Sequence, residues 1–208
     1  MNKTKYNNSE SSKSKAKAAA ILKGAMQEFL AHGYAATSMD KVAKAAGVSK
    51  ATVYSHYGDK ESLFGAVIRD LAEDKFQTVM GLEKQQSLAG DAYQVLSTMA
   101  TKMLDNAKQD YAFQNFIRII VGESGRFPEL AKLYVDNLAK PAIETLTKYF
   151  KSNPKLKLTD PEATVRIMMG TLIYHVMLQE MLYGSEIVPL ESDRLVQTLI
   201  GMITHNKD

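Results

Sequence analysis

Residues 42–57, VAKAAGVSKATVYSHY, leave little choice of local structure. Two short helical patterns flank a single glycine, which predicts helix, tight turn and helix. Ala43 offers the small surface that a close helix crossing needs, and Gly47 tolerates the positive φ of the turn. Val42, Val48 and Val53 supply a miniature core at the right offsets. With Val53 turned inward and about 100° of rotation per residue, Ala51 and Ser55 point away from the core, flanked by Thr52 and Tyr54. That outward face is slim, polar and free of carboxylates.

A helix showing Ala, Thr and Ser suits the major groove of duplex DNA, where methyls meet thymine and hydroxyls meet base edges. Lys50 at its start, and Tyr54 and His56 at its margins, are placed to hold phosphates. Lys60 and the capped amino end of the next helix are candidates for a further phosphate. Tyr57 lies on the Val53 side and reads as a packing aromatic.

Charge distribution agrees. The chain of 208 residues carries a net charge of +3, but residues 1–60 hold ten lysines against Glu10, Glu28, Asp40 and Asp59, a local +6, so the remainder is −3. A basic amino-terminal quarter on a mildly acidic body is the asymmetry expected of a region that meets a polyanion, with a solvated lysine tail as the plainer reading. No cysteine is present, which removes disulfides, thiolate metal sites and thiol nucleophiles. No HExxH, phosphate loop or GxSxG motif occurs, so the sequence points away from an enzyme and calls for neither cofactor nor metal. No apolar run is long enough to span a membrane and no secretory leader is visible, from which a cytoplasmic protein without membrane contact is expected.

Helical periodicity continues along the chain without a convincing β-alternation, predicting an all-α fold of about nine helices. Residues 1–16 are polar and are expected as a disordered basic arm. The first helix is expected from Lys17, with Ala18, Leu22, Ala25 and Phe29 on one face and Gly33 as its stop. Thr37 with Asp40 resembles a capping box, and Ser49 and Asp59 are caps for the helices that follow. Helix four is expected over about 20 residues from Lys60, and further helices near 91–107, 110–122, 128–151, 161–183 and 190–204. Pro141 should kink or split the helix it interrupts.

The window 21–64, ILKGAMQEFLAHGYAATSMDKVAKAAGVSKATVYSHYGDKESLF, resembles the DNA-binding domain of the TetR family of bacterial transcriptional regulators. Gly-Tyr at 33–34, ATS at 36–38, VAKAAGVSKATVY at 42–54 and KESLF at 60–64 carry the likeness, and Gly24 departs from the alanine usual in that family. GESGRFPEL, residues 122–130, resembles the regulatory domain of the AefR-like subgroup. The resemblance implies an amino-terminal helix-turn-helix domain, 17–62, and a larger helical domain, 63–208, that dimerises and encloses a small-molecule pocket. It also implies DNA contacts by Lys50, Ala51, Thr52, Tyr54, Ser55, His56 and Lys60, with Thr37 and Ser38 near the backbone.

Helix 161–183 is apolar almost all round and the last helix carries more apolar surface than one contact consumes, so a two-fold homodimer is expected there, through Met177, Met181, Leu195, Leu199, Met202 and Ile203. Met99, Met103, Phe113, Phe116, Ile120, Tyr134, Leu138, Met168 and Leu172 are candidate lining residues for a small hydrophobic ligand, with core filling as the competing role. Thr171, His175 and Gln179 form a polar line on that apolar helix, suited to a ligand or to the dimer seam. These features predict a homodimeric repressor that binds a palindromic operator and is released by a small hydrophobic effector. The alternative is a helical carrier without DNA-binding activity.

Overall fold

The computed structural model describes residues 4–76, 78 and 90–204, and for residues 4–12 the backbone only. Every regular element among them is helical: α1 (Thr4–Ala36), α2 (Met39–Ala45), α3 (Lys50–Tyr57), α4 (Lys60–Lys75), α5 (Ala92–Gln109), α6 (Tyr111–Glu123), α7 (Pro128–Tyr134), α8 (Lys140–Ser152), α9 (Pro161–Val176) and α10 (Ser192–Thr204). A π-helical turn, Val135–Ala139, joins α7 to α8, so the two form one interrupted element and the count among the described residues comes to the nine expected. Pro141 explains the interruption, because its ring cannot accept a carbonyl one regular turn behind it. A second π-turn, Met177–Met181, closes α9 before the left-handed Tyr183, short of the regular helix expected to 183. The expected end of α4 near residue 79 falls partly outside the described residues.

Local caps behave as their chemistry requires. Ser49 accepts from the Thr52 N–H, Asp91 from those of Tyr93 and Gln94, and Asp160 from that of Ala163. At the second helix the cap is Ser38, which accepts from the Lys41 N–H, and not Thr37 as the sequence suggested. Helix α1 also departs from expectation, since it starts at Thr4 and not near Lys17. Once its packed half is nucleated, adding turns to a helix costs little, even through residues 13–17, which are exposed.

The chain divides into two compact units, Met1–Leu71 with Asn115–Asn137, and Ala72–Gln114 with Leu138–Asp208. This division differs from the boundary expected at 62/63, because α6 and α7 supply core to the first unit. There Phe64 is fully buried at the centre of an aromatic cluster. Phe29 meets it edge-on at 4.9 Å, Tyr34 edge-on at 5.3 Å, and Phe116 is stacked on it at 4.9 Å. In the second unit α5 packs on α10 and α8 on α9, around Leu96, Phe150, Val165, Leu172 and Ile200.

Gly24 is the point of closest approach between α1 and α2. A Cβ there would lie 2.8 Å from the backbone nitrogen of Ala46, a contact that neither backbone can relieve without separating the helices. The family's usual alanine would gain about 1 kcal/mol of helix propensity but meet an overpacking cost of roughly 1–3 kcal/mol. Gly24→Ala is therefore expected to lower unfolding free energy by about 1 kcal/mol in urea titrations, against the propensity scale.

Candidate nucleic-acid interface

Helix α3 is held by a single fully buried side chain, Val53. On the opposite side Ala51, Tyr54 and Ser55 are exposed, while Thr52 and His56 are half-buried. The Thr52 hydroxyl lies 2.8 Å from that of Ser49, which ties the first turn to its cap. Lys50 is exposed and its ammonium stands 5.7 Å from the centre of the Tyr54 ring. Ser38 is exposed at the start of α2. Tyr57 turns inward, as expected for a packing aromatic, and its hydroxyl donates to the Ala18 carbonyl at 3.4 Å.

Asp40 is a neighbour that spacing within α3 does not reveal. Its carboxylate lies 2.8 Å from the Lys50 ammonium, and this hydrogen-bonded pair pushes the Lys50 pKa up. Both groups are exposed, so the pair is weak and its lysine exchangeable with a phosphate.

Two residues expected at the interface turn inward. Thr37 is buried, and its hydroxyl is directed at the carbonyls of Gly33 at 2.8 Å and Glu28 at 3.0 Å. It joins the end of α1 to the start of α2. The reason lies at Gly33, whose φ of 73° and ψ of 175° form a conformation essentially restricted to glycine. The chain turns there and leaves carbonyls without helical partners. Lys60 meets them: its ammonium donates to the carbonyls of Tyr34 at 2.8 Å, Thr37 at 3.0 Å and Ala35 at 3.4 Å, and sits 4.3 Å from the centre of the Tyr34 ring. Burial pulls the Lys60 pKa below the ordinary lysine value, with Glu123 opposing. With its donors engaged, Lys60 braces the fold and is not presented to a phosphate.

The sequence models of two domains match this chain. That of the bacterial regulatory proteins of the tetR family covers residues 21–67, and that of the AefR-like transcriptional repressor C-terminal domain covers residues 94–205, more than half of the chain. The chain belongs to the TetR family. It is 39% identical over 59 residues to the HTH-type transcriptional repressor AcnR of Corynebacterium efficiens, covering 28% of this chain and 31% of that protein. It is 35% identical over 86 residues to the HTH-type transcriptional regulator AcrR of Shigella flexneri, covering 41% and 39%. The chain thus spans less than two-fifths of the length of these curated relatives. A TetR-family regulator from Mesorhizobium loti shares the fold over 91% of this chain and 96% of its own, with a TM-score of 0.75 and 25% identity. The flavonoid-responsive regulator FrrA does so over 88% and 91%, with a TM-score of 0.67 and 29% identity. The family is one of transcriptional regulators and not of enzymes, and it disfavours the reading as a carrier without DNA binding.

The body of this TetR-family chain redistributes the expected ligand and dimer residues. Phe116 and Ile120 are buried in the first unit, Phe116 in the aromatic cluster. Tyr134 also belongs to that unit, and burial raises the pKa of its hydroxyl. Met168 and Leu172 are buried in the core of the second unit, with Met99 and Met103 packed against it. Phe113 lies under the Lys75 ammonium, 5.2 Å from the ring centre, and Leu138 is half-buried. An open groove of about 590 Å³ in the second unit is lined by Asp91, Ala92, Tyr93, Lys155, Leu156, Gln197, Gly201 and Thr204, none of them expected ligand residues. His175 is buried 3.4 Å from the Ser192 hydroxyl, and Gln179 donates to the Val188 carbonyl at 3.0 Å, so both are engaged within their own unit. Thr171 donates to the Ile167 carbonyl of its own helix.

Among the expected dimer residues, Met202 and Met177 are exposed, Met181 and Leu195 are half-buried, and Leu199 and Ile203 are core residues. Helix phase, invisible at single-residue level in so apolar a segment, separates them. Ile167, Ile173 and Tyr174, 63%, 47% and 57% exposed, are side chains of α9 that were not among the expected dimer residues.

Replacing Lys60 by methionine is expected to lower stability by about 1–3 kcal/mol, because the carbonyls of Ala35 and Thr37 lose its ammonium as donor and that of Tyr34 keeps only the Thr37 N–H. The salt slope of DNA binding by the folded variant should stay unchanged. Unchanged stability with a slope smaller by about 1 would return Lys60 to the phosphates.

Proposed function

We propose that this chain is a repressor that binds a palindromic operator in double-stranded DNA as a homodimer and leaves it when a small hydrophobic effector occupies the body. The observation that carries the reading is the exposed face of α3 opposite Val53, where Ala51, Tyr54 and Ser55 stand with no acid on the helix itself. Thr52 and Tyr54 read bases and backbone, Lys50 exchanges Asp40 for a phosphate, and Ser38 and His56 flank them. Exposed Ile167, Tyr174, Met177 and Met202 support a two-fold contact through α9 and α10, which a monomer would leave as bare apolar surface. Two recognition helices so joined read half-sites roughly 34–36 Å apart, or a multiple of it. Among the described residues no helix is long and apolar enough to cross a membrane, and we place the protein in the cytoplasm with its operator.

The effector has to favour the released form by about 5.5 kcal/mol to take operator occupancy from 99:1 to 1:99. FrrA answers to flavonoids, and its 29% identity makes planar aromatic compounds the first class to screen.

Selection of random duplex DNA by the purified protein is expected to enrich a palindrome. Failure to enrich any two-fold sequence would remove the proposal. On the enriched duplex, Thr52→Ala with Tyr54→Ala should weaken binding on the order of 10- to 100-fold while leaving the circular dichroism unchanged. Ile167→Glu with Tyr174→Glu should yield monomers in sedimentation velocity and lose the palindrome's affinity with them; a dimer that persists would place the seam elsewhere.

A further inference from the structure

Residues 13–17 of the first helix are exposed, and three of the five are lysines. Lys13, Lys15 and Lys17 are exposed, and no described residue pairs with them. This sets them apart from Lys50, Lys60 and Lys75, each of which has a defined partner. At about 100° per residue, Lys13, Lys17, Ala20 and Gly24 fall on one line of α1 within about 60° of each other, while Lys15 lies on the opposite side. Gly24 is the residue of that line pressed against Ala46 of the helix-turn-helix. The same face of α1 that holds α2 is therefore prolonged by two lysines.

Its position along the axis is also defined. The Ala18 carbonyl accepts from the hydroxyl of Tyr57, the last residue of α3, so Lys17 stands level with the carboxyl end of the recognition helix. Lys13 is one turn, about 6 Å, farther out. Like charges four residues apart disfavour a free helix, and a polyanion lying along the line removes that penalty.

We infer that the amino-terminal extension of α1 is a second DNA-contact element, in which Lys13 and Lys17 hold phosphates of the duplex flanking each half-site. This rests on the operator reading above. Such contacts carry no base information; they add affinity and fix register.

The test uses the full chain, the enriched palindrome within a 40-base-pair duplex, and the same palindrome cut flush at both ends, with affinity followed by fluorescence anisotropy at several salt concentrations. For Lys13→Gln with Lys17→Gln, two contacts are lost per protomer. The slope of log affinity against log salt on the long duplex should shrink by about 3.6, at roughly 0.9 for each of four phosphates. On the flush duplex the variant and the parent should differ little. Lys15→Gln, on the far side of the helix, should leave the long-duplex slope as it was. A double variant that keeps the parent slope, or an equal loss on both duplexes, overturns the inference while operator binding by the parent stands. A parent that binds neither duplex would overturn the operator reading itself.

Discussion

At the end of the first helix the backbone turns through a conformation open only to glycine, and the carbonyls beyond it are left without helical donors. The ammonium of Lys60 supplies those donors from the first turn of α4. This interaction joins two helices that are far apart in sequence and sets the frame within which α2 and α3 are suspended. The buried Thr37 hydroxyl closes the same corner from the other side. Phe64, one turn beyond Lys60, then locks the corner into the aromatic cluster with Phe29, Tyr34 and Phe116. Polar satisfaction at the rim and aromatic packing beneath it thus depend on one another.

Within that frame the recognition helix is anchored lightly. One buried valine, one cap, the Tyr57 hydroxyl and the Lys50–Asp40 pair secure it, while Ala51, Tyr54 and Ser55 are left exposed. A helix so short gains little from its own hydrogen bonds. Its order is borrowed from α1 and α4. For the proposed DNA contact this means that few internal contacts have to be given up. Even the Lys50–Asp40 pair is exposed and easily exchanged.

How far the sequence could be read follows from the range of each interaction. Ser49 and Asp59 were legible because a cap bonds to a residue three positions on. Pro141 was legible because its ring acts on its own turn. The inward turn of Thr37 and Lys60 was not legible, because it depends on the bend at Gly33 and, for Lys60, on carbonyls 23 to 26 residues away. Asp40 escaped notice for the same reason. In the body, Leu199 and Met202 looked alike as apolar residues of one helix, yet one is core and the other is 71% exposed.

From its order of residues alone, the chain determined that it would be helical, where most helices begin and stop, and which side of α3 would be slim and acid-free, because propensity, capping and periodicity act over a few residues. Only the tertiary structure decided which cations are exposed and which are consumed by the fold. It alone assigned α6 and α7 to the first unit and separated apolar core from apolar surface in α9 and α10. Those outcomes depend on which distant groups meet, and a carbonyl left bare by one turn has no counterpart in the local pattern of the lysine that covers it.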